Sequence, residues 1–234
     1  MKKLIDLTIV SIIVLSLVAV STAQITPLFG VTAEHREILD HMSIVYLDDG
    51  QGGTTKTIRI SDVNVQVVNG LESTETINGL GNLIVGYNEF RTLENNRTGS
   101  HSIVLGKENN YNKYASTVGG ISNSVNGEYS SIITGISNVV NANGSCVIGG
   151  SENIADLKPN NSFPVSVIIG GQWNRTTSDH CVIVGGGYNF IDGVGIALNS
   201  GRWSVIVGGG GVAADNGNII SGGLSVVVGR KYHV

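Results

Sequence analysis

The sequence predicts an all-β protein, a parallel β-roll or β-solenoid of about nine repeats behind a small N-terminal helix-and-hairpin cap. A short aliphatic motif ended by glycine recurs along most of the chain. The composition is rich in glycine and poor in charge, with 33 Gly, 14% charged and 41% apolar residues, and a net charge of −4 over 234 residues. No apolar stripe of 3.6-residue period runs through the recurring units, which rules against helical repeats. Disorder needs low hydrophobicity and high net charge, and this chain has neither. Nucleic acid is not an expected partner, because a phosphate-binding surface needs clustered Lys and Arg. The 14 basic residues here are spread along the whole chain.

The repeat aligns on glycine: N-L-I-V-G at 82–86, S-I-V-L-G at 102–106, A-S-T-V-G-G at 115–120, S-I-I-T-G at 131–135 and S-C-V-I-G-G at 145–150. It continues with S-V-I-I-G-G at 166–171, C-V-I-V-G-G at 181–186, S-V-I-V-G-G at 204–209 and S-V-V-V-G at 225–229. In the middle of the array an Asn follows each turn: Asn123, Asn138, Asn153, Asn174 and Asn189. With Thr134 in the place of the first glycine, the spacings from Gly86 onward are 20, 13, 15, 15, 21, 15, 23 and 21. The short values define a unit of 14–15 residues, and the longer ones are that unit plus a loop. The polar stretch 158–162, which contains a Pro, is such a loop. Val/Ile triplets ended by Gly read as short strands. The Asn is expected to take a left-handed conformation or to bond its own backbone. Val125, Val140, Thr176 and Ile191, two residues beyond the Asn, mark a second, weaker strand in each unit. One rung cannot bury its own apolar face, whereas stacked rungs share a continuous core.

Units of the form S-x-V-x-G-G-x-x-N-x-x-x-G resemble the head repeats of trimeric autotransporter adhesins, the YadA-like head. The stretch 78–89, followed by 97–110, is similar to the opening module of secreted bacterial proteins that carry such repeats. The resemblance covers roughly residues 79–234. It implies a homotrimer of left-handed parallel rolls and an adhesive role toward extracellular matrix, glycans or a cell-surface ligand. The family's coiled-coil stalk and membrane β-barrel are not seen before Val234, a departure from the family's pattern that leaves self-translocation and anchoring to the cell unassigned.

Three segments organise the chain: 1–23, 24–78 and 79–234. Lys2 and Lys3, the apolar run 9–20 and the small residues Ser21, Thr22 and Ala23 read as an export signal cleaved after Ala23. An uncleaved signal anchor is the alternative, but the run is shorter than the roughly 20 residues a bilayer span prefers. The mature chain is then extracellular or at the cell surface, with no membrane span. In the front segment, residues 32–42 read as a short helix N-capped by Thr32, with Glu34 and Glu37 near its positive end. Residues 43–47 and 55–60 alternate like strands around the turn 48–53, and 63–68 reads as a first strand leading onto the roll. Ile38, Leu39 and Met42 form one apolar face where chains could associate.

Each candidate site has a plainer structural reading. Asp48, Asp49 and Gly50 lack the alternating acids of a calcium loop and read as a hairpin turn. The glycines 208–211 match a loose G-x-G-x-x-A with no helix after it, and read as a solenoid turn. Histidines 35, 41, 101, 180 and 233 are scattered, and no metal site is assigned. Asn96, Asn143, Asn160 and Asn174 begin N-x-S/T sequons, which arise by chance in an Asn- and Ser-rich repeat. Cys146 falls one column after the Ser column and reads as a small core residue. Cys181 lies in the Ser column itself, two rungs away and beyond disulfide reach within one chain, and reads as a free thiol or one that meets a symmetry mate. No catalytic, cofactor-binding or metal residue is nominated, no cofactor is expected, and the ligand-binding residues are unassigned.

The expected function is a secreted or cell-surface, non-catalytic structural or adhesion protein. An enzyme acting on extracellular polysaccharide is the alternative. A third reading, an ice-binding solenoid, needs a flat ladder of one residue type, for which the Ser column is the nearest candidate.

Overall fold

A computed structural model describes residues 32–156, 165–192, 202–210 and 217–229. The export signal and the loop at 158–162 therefore lie outside the described residues. Contacts divide the chain into two compact units, before and after the boundary between Val65 and Gln66.

The first unit is a helix and a hairpin. Helix α1, Ala33–Asp40, starts at Thr32, whose hydroxyl accepts from the His35 N–H at 3.2 Å. His35 Nδ1 accepts in return from the Thr32 N–H at 3.2 Å, so a histidine completes a capping box usually closed by Glu or Gln. Strands β1, Met42–Asp48, and β2, Thr54–Ile60, pair antiparallel from Met42 opposite Ile60 to Asp48 opposite Thr54. In the turn between them, Asp49 Oδ1 accepts from the Gln51 and Gly53 N–H groups at 2.8 Å each. Those bonds favour the carboxylate and lower its pKa, which is the chemistry of a turn.

The second unit is almost entirely β. Among the described residues, nine strands form one parallel sheet: Leu83–Val85, Ile103–Lys107, Thr117–Ile121, Ser131–Ile132, Cys146–Ile148, Ser166–Ile169, Cys181–Val184, Val205–Val207 and Val226–Val228. Seven shorter strands form a second: Asn110–Tyr111, Ser124–Val125, Val139–Val140, Ile154–Ala155, Arg175–Thr176, Phe190–Ile191 and Ile219–Ile220. From Ile103 onward the chain visits the two sheets alternately, and each strand pairs with the next of its own sheet. Two many-stranded parallel sheets built this way fit the predicted solenoid class. The second, weaker strands expected around Val125, Val140, Thr176 and Ile191 are present, with all four side chains fully buried. Residues 63–68 form no strand. They lead into a segment, 66–78, that belongs to the second unit.

The core is a pair of facing columns. One runs Val104, Val118, Ile132, Val147, Ile168, Ile183, Ile206, and the other Tyr111, Val125, Val140, Ala155, Thr176, Ile191, Ile220. Each buried Val or Ile contributes roughly 1.5–3 kcal/mol relative to leaving it exposed. The residue after each Ser points outward and the Ser itself points in, the reverse of the reading that placed Cys146, one column after the Ser, in the core. Ser116, Ser130, Ser145, Ser166 and Ser204 are buried because their hydroxyls serve backbone groups of the following corner. Ser130 Oγ donates to the Ala142 carbonyl at 2.8 Å, and Ser145 Oγ accepts from the Ser166 N–H at 2.9 Å.

The repeat Asn is not itself left-handed, although its amide does bond local backbone, as Asn123 Nδ2 donates to the Gly119 carbonyl at 2.7 Å. The left-handed residue is the one before it: Ser122, Ser137, Glu152, Trp173 and Tyr188 have φ between 54° and 59°. The Asn side chains turn inward and stack as a buried ladder. Asn123, Asn138, Asn153, Asn174, Asn189 and Asn218 each donate a backbone N–H to the Oδ1 of the Asn one rung before, at 2.9–3.1 Å. Their Nδ2 groups reach glycine carbonyls, for example from Asn153 to Gly171 at 3.1 Å. Every buried amide in the ladder is thereby paired, as burial demands.

One glycine column is packed as tightly as backbone allows. A Cβ on Gly106, Gly120, Gly135, Gly150, Gly171 or Gly186 would lie under 3.0 Å from the carbonyl oxygen of the next glycine in the column. Alignment on this column changes one interval: Gly106 pairs with Gly120, 14 residues on, so the spacing of 13 counted to Gly119 becomes 14. The looser glycines before it, Gly170, Gly185 and Gly208, have open space around a Cβ, which is why Thr134 is tolerated at their position.

Candidate functional site

The outward positions of the nine-stranded sheet are mostly aliphatic, interrupted by Thr117, Gly119, Ser131 and Cys146. Side chains just before the corner are Leu105, Ile133, Ile148, Ile169, Val184, Val207 and Val228, and those just after the Ser include Ile103, Val167, Val182, Val205 and Val226. Ile133, Ile148 and Ile169 are 47%, 42% and 39% exposed in this single chain. Parallel pairing in register places them one above another about 4.8 Å apart. Single exposed aliphatics are ordinary, whereas a continuous apolar face marks an interaction site. This face carries no charged group from Ser131 to Val184, so it is suited to burial.

No family model, curated protein or solved structure matches the chain.

Elsewhere several polar side chains serve the scaffold. Segment 66–78 is pinned to the roll by His101, whose Nε2 accepts from the Asn69 N–H at 3.2 Å while Nδ1 donates to the Thr74 carbonyl at 3.0 Å. Both ring nitrogens are thus committed to backbone. The open cavity there, about 630 Å³ and lined by 66–70, 72–74 and His101, presents no unsatisfied ring atom. Tyr129 donates to Glu75 at 2.7 Å, and this bond to a carboxylate pushes its phenol up to about 12. In the first inserted loop, Arg91 donates to the Glu108 and Asn123 carbonyls at 2.5 Å and to Ser124 Oγ at 3.0 Å, stapling the loop to the corner. His41 Nδ1 lies 3.0 Å from the Ser61 carbonyl, and His233 lies outside the described residues. Among the described residues, no group of three or more His, Cys, Asp or Glu gathers to hold a metal ion. No helix among them is long and apolar enough to cross a membrane.

Four sequence-level candidates are now placed. The Ser column is buried, so it cannot serve as an ice-binding surface. Asn174 is a ladder residue with no exposure, which removes its sequon, and Asn160 lies outside the described residues. The cysteines exchange roles: Cys181, in the inward column, is 1% exposed within the core, while Cys146 faces outward and is half-buried. The parity of the Ser column decides this. Burial raises both thiol pKa values, yet only Cys146 is within reach of solvent. A single folded chain treated with a thiol reagent will therefore label Cys146 first, with Cys181 reacting only on unfolding, whereas an assembly that covers the outer face shields both. Peptide mapping by mass spectrometry reads this directly, and rapid native labelling of Cys181 would refute the assigned parity.

Sequence reasoning missed one further group. Trp173 and Tyr188, each directly before a ladder Asn, stack at the exposed corner with ring centroids 5.9 Å apart and planes 9° from parallel. Their signal in the sequence is an aromatic residue where the preceding rungs carry Ser or Glu.

Proposed function

We propose that the chain is an exported, non-catalytic structural or adhesion protein that works as a homotrimer. Its roughly nine rungs of 14–15 residues form a roll akin to the YadA-like heads of trimeric adhesins, presented for multivalent contact outside the cell. The observation that carries this reading is the outer face of the nine-stranded sheet. Rows of Ile and Val there gain about 25 cal/mol for every Å² of apolar surface removed from water. A second and third copy supply that cover by the same surface, since closed symmetric association is the rule for identical subunits. Repetition along the roll then gives each assembly several equivalent contacts, so weak individual contacts add up to firm attachment. The export signal read at 1–23 and the low surface charge agree with an extracellular setting.

Light scattering on the mature chain tests the proposal. The expected mass is three times that of the chain, and replacing Ile148 and Ile169 together by Lys reduces it to one, with the β-type circular dichroism retained. A wild-type protein that is monomeric at micromolar concentration sinks the trimer.

A further inference from the structure

We infer that the corner ledge formed by Trp173 and Tyr188, with Glu152 and Gln172 beside it, binds a neutral hexopyranose glycan. The inference deepens the adhesion reading by naming a ligand class and a place for it. Glu152, Trp173 and Tyr188 occupy one corner position on three consecutive rungs, each with φ between 54° and 59°. Backbone bonds set the order: Trp173 N–H donates to the Ser151 carbonyl at 3.1 Å and Tyr188 N–H to the Gln172 carbonyl at 3.0 Å. The scaffold does not ask for aromatic rings here, because Ser122 and Ser137 fill the same position on earlier rungs. Aromatics are 6% of the chain, yet two of them stack at this corner with Trp173 44% exposed.

The stack fixes the orientation of the ledge. Tyr188 covers one face of the indole, and the rung on the other side carries Glu152. Gln172 is exposed next to the ring, and the corresponding residue on the next rung, Gly187, has no side chain. Among the described residues, the Glu152 carboxylate and the Gln172 amide make no hydrogen bond or ion pair. A flat apolar ring flanked by a planar acceptor and a planar donor–acceptor matches the two faces of a pyranose. Its axial C–H groups lie on the aromatic ring and its hydroxyls bond outward to amide and carboxylate. The carboxylate, and the net charge of −4, select against acidic sugars. A lysine or other cation would find one carboxylate and one ring face but no enclosing cage.

The chain has two tryptophans, so Trp203→Phe leaves Trp173 as the sole indole reporter. Full-length mature protein in that background is titrated with cellohexaose, mannohexaose and chitohexaose, with sialyllactose and oligolysine as charged comparators. The expected result is a saturable change in Trp173 emission with at least one neutral hexasaccharide. Affinity falls about ten-fold or more in Tyr188→Ala, and in Trp173→Ala followed by calorimetry, with Glu152→Gln and Gln172→Ala weakening it less. Melting temperatures stay near wild type, because the ledge is exposed. No saturable response to any neutral sugar up to about 10 mM overturns the inference, as does binding that survives Trp173→Ala or that is confined to oligolysine. The ledge is built by one chain. A monomer that binds sugar therefore keeps this inference and loses the trimer, whereas a trimer that binds none does the reverse.

Discussion

Gly171→Ala will destabilise the second unit by about 3–5 kcal/mol, while Gly170→Ala, one residue earlier, will cost only about 1 kcal/mol. Both glycines have positive φ, +66° at 170 and +81° at 171, so both substitutions pay the left-handed penalty of an L side chain. They differ in what the new methyl group meets. At 170 nothing lies within 4 Å, whereas at 171 the Gly186 carbonyl oxygen and the Asn174 amide stand closer than any Cβ tolerates. A backbone carbonyl held in a sheet cannot rotate away as a flexible side chain would. Because whole domains are stable by only about 5–15 kcal/mol, the first variant will unfold at far lower urea or fail to accumulate. Paired chemical denaturation curves check this, and equal midpoints would show that the rungs are not packed glycine on glycine.

Asn153→Ala will cost about 3 kcal/mol, several times the effect of Asn141→Ala on the rung before it. Asn153 Oδ1 accepts the Asn174 N–H at 3.0 Å, and its Nδ2 donates to Asn138 Oδ1 at 3.0 Å and Gly171 O at 3.1 Å. Truncation leaves the Asn174 N–H with no partner in a place water does not reach. Asn141 belongs to a second, outer row, bonded to Asn126 at 2.8 Å and Asp156 at 3.0 Å, where solvent replaces what is lost. Asn153→Asp sharpens the test. A carboxylate there faces acceptor oxygens where the amide placed donors, so burial and repulsion raise its folded pKa above the unfolded value. The protonated form is the one that fits. The variant will be worst at neutral pH and will regain stability as pH falls through its raised pKa. Thermal melts across acid pH give the sign, and a variant insensitive to pH would remove Asn153 from the buried ladder.

Much of this fold was legible because a repeat shows the same physical problem many times over. The glycine-ended triplets and the residues two beyond each Asn locate both sheets, down to Thr176 in a core column. The face of each strand was not legible in the same way. A run such as Val182-Ile183-Val184 is apolar at every position, so alternation carries no information about which side is in. The side chains were assigned one position off, and Cys146 and Cys181 changed places as a result. The ladder was misread for a different reason. Asn is a favoured left-handed residue, which drew attention from Ser137, Glu152 and Trp173, the residues that hold that conformation. The exposed apolar face and the aromatic ledge depend on which side chains point outward, and so had to wait for the register.

The Asn ladder makes the same bond whatever length of chain separates its members. Asn153, Asn174 and Asn218 donate their N–H groups to the preceding ladder Asn at 3.0, 3.0 and 3.1 Å although that Asn lies 15, 21 and 29 positions earlier. A gene encoding such a chain can therefore gain or lose one whole unit by slippage, and the flanking rungs close on each other with their amides still paired. Loss of a single residue inside a unit has no such remedy, since it throws glycine, serine and asparagine out of step at once. Lineages of this protein should differ in number of rungs more readily than in the spacing within one.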